Sequence, residues 1–67
     1  MKRIVIIDGQ GGRIGSQLIE ALRALEGVEI TAVGTNSIAT ANMLKSSPDN
    51  AATGENPVVV ACRTADV

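Results

Sequence analysis

Residues 8–15, which read Asp-Gly-Gln-Gly-Gly-Arg-Ile-Gly, are the part of the chain whose residue types and spacing could do chemistry. Glycines let backbone amides approach a ligand, and a helix that follows such a turn directs its free N–H groups and its dipole at an anion. Gly9 can take the positive φ that the turn needs, and Gly11 or Gly12 lets a pyrophosphate touch the backbone. Gly15 lets the helix lie close to the preceding strand. The segment therefore predicts a phosphate-binding loop.

The spacing of the loop, Gly-X-Gly-Gly-X-X-Gly, differs by one residue from the Gly-X-Gly-X-X-Gly pattern of dinucleotide-binding domains. Its position between an apolar strand and an amphipathic helix is the context that this pattern requires, and it favours a dinucleotide ligand. A P-loop is excluded, because no Lys with an adjoining Ser or Thr follows Gly15. The alternative is a tight strand-to-helix turn that binds nothing.

A second candidate segment follows the second predicted strand. NAD-binding domains place an acid on the ribose hydroxyls about 20 residues beyond the last glycine, and Thr35 stands at that position here. Nothing negative therefore repels a 2′-phosphate, which favours NADP over NAD, or a ligand other than a dinucleotide. Asn36 and Ser37 could equally serve only to cap the next helix. The predicted cofactor-binding residues are Gly9, Gln10, Gly11, Gly12, Arg13, Ile14, Gly34, Thr35, Asn36 and Ser37.

Three further side chains have both a chemical and a structural interpretation. Arg13 has a fork of donors suited to phosphate, or it is merely solvated. Asp8 could hold a metal or a proton at the end of the first strand, but initiation of the turn before Gly9 is the favoured explanation. Cys62 has no histidine to activate it and is predicted to be a small core residue. The catalytic residues, if there are any, stay unknown from the sequence, and no metal site is predicted.

The elements that position the loop follow from hydrophobic periodicity. The β-branched run at residues 4–7 predicts a central parallel strand that is buried on both faces. Apolar residues then recur at helical spacing from Ile14 to Leu25, and the helix is expected to end near Glu26 and Gly27. A second strand at residues 28–33 completes a βαβ unit.

The second half of the chain is less clearly patterned. A helix from about Ile38 to Lys45 is predicted, and the polar residues 46–50 end it. For the remainder two interpretations stay open: a strand through the valines at 58–60, or a short strand at 51–53 followed by a helix over residues 57–63 and a new strand from Asp66. The second is favoured, because it keeps every connection short.

The predicted fold is an α/β, Rossmann-like, three-layer βαβ arrangement with a parallel sheet. Residues 1–67 are expected to form a single nucleotide-binding domain, or the N-terminal part of a larger one. The chain is 67 residues long and has no aromatic residue, and its single Cys and lack of His exclude an internal disulfide and most zinc sites. A core of this size is only marginally stable, so a homo-oligomer or a missing C-terminal half is expected.

Charge and hydropathy exclude several partners. Six Lys and Arg balance seven Asp and Glu, without a basic stripe or a stacking aromatic, so no nucleic acid is expected as a ligand. No apolar run approaches the length of a membrane span or of a signal peptide. We therefore expect no membrane partner and a cytoplasmic location.

The loop and the first helix resemble the N-terminal segment of dihydrodipicolinate reductases, which use NADH or NADPH. The resemblance covers about the first half of the chain, and its key residues are those at 9–15, 17–19 and 24–28. It implies cofactor contact through the backbone of Gly9, Gly12, Arg13 and Ile14. The ribose-binding acid of that family is replaced by Thr35, and its catalytic histidines and lysine lie in a later domain, so reductase activity is not implied.

A likeness along nearly the whole chain is to an uncharacterised bacterial family that is catalogued as a domain of unknown function. Its motifs are similar to residues 7–12, 34–37 and 52–56 of this chain, which read Ile-Asp-Gly-Gln-Gly-Gly, Gly-Thr-Asn-Ser and Ala-Thr-Gly-Glu-Asn. The resemblance implies a longer protein that continues past Val67 into another strand. It brings no established reaction.

Three functions are compatible with these patterns. The first is binding of NADP or NAD, for an oxidoreductase whose catalytic part lies elsewhere or for a redox sensor. The second is a regulatory module that binds a nucleotide or phosphometabolite without chemistry. The third is an assembly subunit that only keeps the fold.

Overall fold

The computed structural model describes residues 1–67 as three strands and three helices. Strands and helices alternate along the chain, and the prediction of an α/β fold with a parallel sheet is confirmed. The elements are β1 (Lys2–Asp8), α1 (Arg13–Leu22), β2 (Val28–Gly34), α2 (Ser37–Leu44), β3 (Asn50–Thr53) and α3 (Asn56–Cys62).

The sheet has the order β1-β2-β3, and both strand pairs are parallel. The register places Ile4 beside Ile30, and Asp8 beside Gly34. Since all three strands run the same way, their carboxyl ends lie at one edge of the sheet, from which both α1 and α2 begin.

The strand β1 lies at the border of this sheet and not at its centre, which corrects the prediction of a central strand. Its side chains are correspondingly less buried than predicted, and Ile7 is 45% exposed. The outward edge carries residues 66 and 67, because the N–H of Asp66 donates to the Arg3 carbonyl at 2.7 Å and the N–H of Val5 to the Val67 carbonyl at 2.9 Å. The chain thus re-enters the sheet near Asp66, where a new strand was predicted.

Helices cover both faces of the sheet. The pair α1 and α2 pack on each other and on one face, whereas α3 lies against β1 and β2 from the other face. None of the three helices has the length and the apolar composition of a membrane span. The main core lies between the sheet and the α1–α2 pair. The core consists of Ile6, Ile19, Ile30, Ala32, Ala39 and Met43.

The first helix is shorter and less buried than its periodicity predicts. It ends at Leu22 and not near residue 26, although Gly27 does take the predicted left-handed conformation, with φ of 72°. Of its apolar residues Ile19 is fully buried, whereas Leu18 stays 49% exposed and Leu25, in the turn that follows, 55% exposed. The apolar stripe therefore lies partly on the flank of α1 that faces away from α2.

The favoured interpretation of the second half is confirmed. A short strand at Asn50–Thr53 precedes a helix at Asn56–Cys62, with Pro57 in the first turn, where proline is tolerated. The valines at 58–60 are thus helical despite their β propensity. Cys62 is exposed, so its predicted place in the core was wrong.

Two loop glycines are required by the close approach of α2. Gly12 has φ of 77°, and a Cβ there would collide with the Ala39 carbonyl of α2. At Gly15 a Cβ would lie 2.6 Å from the sulfur of Met43. The left-handed turn was predicted at Gly9, but Gly12 is the loop residue with a positive φ. Gly15 was predicted to lie close to the strand, and a Cβ there would lie 3.2 Å from Oδ2 of Asp8 in β1 as well as against Met43 of α2.

Substitution of Gly12 by Ala is expected to destabilise the protein by roughly 2 kcal/mol or more, because it adds left-handed strain to a collision with backbone. The matched control is Gly11→Ala, since a Cβ at Gly11 would meet nothing within 4 Å. That change should alter the free energy of unfolding by less than about 0.5 kcal/mol. Urea denaturation followed by circular dichroism measures both, and equal losses of stability would contradict this account of the glycines.

Candidate functional site

The predicted site residues meet at the carboxyl edge of β1 and β2. The Thr35 N–H donates to the Asp8 carbonyl at 3.1 Å, which holds the ends of the two strands together. The glycine loop leaves β1 on this edge, and residues 34–37 leave β2 beside it. The structure therefore brings the two segments that were singled out from the sequence into one place.

The Asp8 side chain lies under the loop and accepts three of its amides. Its Oδ1 accepts the N–H of Gln10 at 2.9 Å and that of Gly12 at 3.1 Å, and its Oδ2 accepts the N–H of Gly15 at 3.2 Å. The carboxylate thus takes part of the place that an anionic ligand was expected to fill. Initiation of the turn, the favoured explanation of Asp8, describes only the bond to Gln10.

The remaining amides of the loop stay free. The N–H groups of Gly9, Gly11, Arg13 and Ile14 have no acceptor within the chain. Arg13 and Ile14 are the first two residues of α1, where the N–H groups of a helix lack an internal partner and the dipole favours negative charge. Gly11 is exposed, with no atom near the position of a Cβ. These four donors are the part of the loop that a ligand can still reach.

Two asparagines of the α2 region fix the carbonyls of the loop. The Nδ2 of Asn36 donates to the carbonyl oxygen of Gln10 at 2.9 Å, and the Nδ2 of Asn42 donates to that of Gly11 at 2.6 Å. Asn36 also caps α2, because its Oδ1 accepts the N–H of Ala39 at 2.8 Å. The capping interpretation of Asn36 is confirmed, and a ribose contact through its side chain would require these bonds to break.

The other residues after β2 divide into packed and accessible ones. Gly34 is buried, and a Cβ there would collide with Thr40, whose hydroxyl also bonds to Thr53 Oγ1 at 2.7 Å. Thr35 and Ser37 are exposed, and their hydroxyls have no partner within the chain. They are the two groups of this segment that could contact a ribose.

Two surface depressions adjoin the free amides. One, of about 410 Å³, is lined by Asp8, Gln10, Gly11, Arg13 and Ile14. Arg13 is its single cation and Asp8 its single anion, so their formal charges cancel.

The other depression, of about 470 Å³, is a polar groove between α1 and α2. Its floor includes Ser16, whose hydroxyl shares a hydrogen bond with that of Ser46. The groove has no apolar lining residue, and its charged residues are Arg13, Glu20 and Lys45.

Sequence reasoning missed the full role of Asp8 and the whole role of Asn42. An Asp before a Gly favours a hydrogen bond from the amide two residues further on to the Asp side chain, so the bond from Gln10 could have been predicted from the sequence. The bonds from Gly15 and from Asn42 join residues that only the folded loop brings together, so no local pattern predicts them.

Stability is expected to fall in acid because two carboxylates are bonded to amides. The pKa of Asp8 is lowered from its ordinary value of 3.8, foremost by the N–H of Gln10 and further by those of Gly15 and Gly12, while partial burial acts in the opposite direction. The pKa of Asp49 is lowered foremost by the N–H of Ile30, at 2.7 Å, and further by Arg23.

A folded-state pKa below the unfolded one adds stability that is present above the unfolded value and is lost as the pH falls through the folded value. The free energy of unfolding should therefore be flat down to about pH 5 and decrease below about pH 4. Urea denaturation at pH 7, 5 and 3 measures it. Asp8→Asn should show a shallower acid loss, and an unchanged acid loss in that variant would refute the assignment to Asp8.

Comparison with known proteins gives one match. The family model described as Domain of unknown function (DUF3842) matches residues 3–67. No curated protein and no solved structure matches the chain. The matched region includes the whole glycine loop, all three strands from Arg3 onward and all three helices. The chain therefore belongs to the DUF3842 family.

Proposed function

We propose that this chain binds a phosphate-bearing nucleotide, foremost an NAD(P)-type dinucleotide, at the carboxyl edge of its sheet. The observation that carries the proposal is the set of free amides of Gly11, Arg13 and Ile14 at and just before the head of α1. A phosphate there would accept hydrogen bonds from fixed donors within the favourable field of the helix. The position is the one that the sequence pattern and the likeness to dihydrodipicolinate reductases predict.

The electrostatic field at these amides is weaker than in a loop without an acid. Asp8 is ionised at neutral pH, because its pKa is lowered, and it shares the first turn of α1 with the free donors. Arg13 supplies the compensating charge within the same depression. The geometry therefore favours a phosphate that is held by directed hydrogen bonds and by the Arg13 guanidinium together, and not by the helix alone.

The adenosine or nicotinamide ribose of such a ligand would lie toward Thr35 and Ser37. Both hydroxyls are exposed, and residues 34–37 offer no acid to the ribose hydroxyls. Because no charge there opposes a 2′-phosphate, NADP remains favoured over NAD in this proposal. No group of the site is arranged for bond making, so the proposed activity is binding of the cofactor.

A second candidate function is self-assembly, in which two copies of the chain meet through exposed apolar side chains of α1 and the turn that follows it. Ile14 is 72% exposed and Leu18 49%, both on α1, and Leu25, in the turn that follows, is 55% exposed. A group of exposed apolar side chains is a common docking surface. Leu18→Glu should reduce an oligomer seen by light scattering to a monomer, and a monomeric parent protein would contradict the candidate.

Isothermal titration of the protein with NADPH and with NADH tests the first proposal. We expect saturable binding, with NADPH at least as tight as NADH. Absence of heat with either at millimolar concentration overturns the proposal. Tighter binding of a mononucleotide than of both dinucleotides would favour the regulatory module instead.

A variant at Gly11 separates binding from folding. The space around a Cβ at this position is open, so Gly11→Leu should fold normally while its side chain covers the free amides. We expect at least a tenfold loss of affinity for NADPH and an unchanged thermal midpoint. Ala24→Leu, which adds comparable bulk at an exposed position in the turn after α1, is the control, and equal affinities of the two variants would place the ligand elsewhere.

A further inference from the structure

We propose that Asp8 determines the charge selectivity of the loop, so that it accepts phosphates carrying one negative charge, as in a doubly esterified diphosphate bridge, and discriminates against a terminal phosphate. The inference rests on the proposed function, since it concerns the ligand of the same site. It names the ligand class as diphosphate diesters, such as dinucleotides and nucleoside diphosphate sugars.

The Asp8 carboxylate is held in a fixed position beneath the loop. Both oxygens of Asp8 are held by amides, with bonds of 2.9 and 3.1 Å to Oδ1 and 3.2 Å to Oδ2. Rotation of the side chain away from a ligand would break all three bonds. The negative charge therefore stays beneath the loop when a phosphate approaches from above.

The second step is the distance between the two anions. The Gly15 amide, which Asp8 accepts, and the free amides of Arg13 and Ile14 lie within the first turn of α1. Arg13 and Gly15 are two residues apart, about 3 Å along the helix axis, and the hydrogen bond to the ligand adds about 3 Å, so a phosphate on the free amides would lie on the order of 6 Å from the carboxylate. At that distance each negative charge on the ligand weakens binding roughly threefold in bulk water, and by up to roughly a hundredfold at an effective dielectric constant of about 20.

The third step concerns the charge that remains to receive the ligand. Arg13 is the one cation that lines the depression, and it balances Asp8. In the adjoining groove Lys45 is balanced in the same way by Glu20. A phosphate diester with one charge meets a neutral set of side chains plus three amide donors. A terminal phosphate, with a charge between about −1.5 and −2 at pH 7, has no further cation to receive the second charge.

The test compares two ligands that share adenosine diphosphate. ADP-ribose has both phosphates esterified, whereas ADP ends in a free phosphate. Titration calorimetry of the unaltered protein at about pH 7.5 should give ADP-ribose an affinity about tenfold higher than that of ADP. Equal affinity, or tighter binding of ADP, overturns the inference even if NADPH binds as proposed.

Two variants then assign the selectivity to one side chain. Asp8→Asn keeps an acceptor oxygen under the loop and removes the charge, so it should bring the ratio of the two affinities close to one by improving the binding of ADP. Glu26→Gln removes the same charge beyond the opposite end of α1, where Glu26 is exposed and has no hydrogen bond, and should keep the tenfold ratio. A ratio that survives in Asp8→Asn, or is lost in Glu26→Gln, overturns the role of Asp8.

The outcomes distinguish this inference from the proposed function. Binding of NADPH without discrimination between ADP-ribose and ADP leaves the nucleotide site standing and removes the selectivity. If the unaltered protein and the Asp8→Asn variant bind none of these ligands, both proposals fail. Because the comparison on the unaltered protein already decides the question, the inference stays testable if Asp8→Asn does not fold.

Discussion

The interaction on which the rest of this structure depends is the acceptance of three loop amides by one carboxylate. Asp8 ends β1, and its bonds to Gln10, Gly12 and Gly15 connect the end of the strand, the turn and the first turn of α1. A chain that turns from a strand into a helix within four residues leaves several N–H groups without partners, and buried donors of this kind must be satisfied. The aspartate meets that requirement from within the chain.

Because Asp8 is itself the anion beneath the loop, the glycines have a different role from the one expected in a ligand-binding loop. In a loop built only around a ligand, each missing Cβ would make room for phosphate. Here Gly12 and Gly15 make room for α2, and Gly11 alone faces open space. The same pattern of residues thus serves mainly the packing of two helices in a chain without aromatic side chains. The part of the loop that can still receive a ligand is smaller than the spacing of the glycines suggests.

Much of the fold was predictable, because it is encoded in local signals. The apolar run of β1, the cap of α2 at Asn36 and Pro57 at the start of α3 each mark an element by itself, and the structure contains all three. The position of β1 at the border of the sheet was not predictable in this way. An apolar strand has the same composition in the middle of a sheet and at its edge, and only the number of strands that pair with it distinguishes the two.

In the candidate site, too, local features could be predicted from the sequence, whereas contacts between distant residues could not. Arg13 and Ile14 were predicted to offer their amides, and both amides are free. Gly12 was predicted to do so as well, but its amide is bonded to Asp8. Asn42, which lies 31 residues from its partner Gly11, carries no signal in its neighbours. Its contact appears only when α2 is laid against α1.

One consequence follows from the double use of Asn36. A single amide group caps α2 through its oxygen and restrains the carbonyls of the glycine loop through its nitrogen. Any displacement of the loop therefore pulls on the first turn of the second helix, and fraying of that turn releases the loop in return. The two segments form one mechanical unit, so occupancy of the turn after the first strand would register as slower hydrogen exchange at the Ala39 amide, inside the second helix.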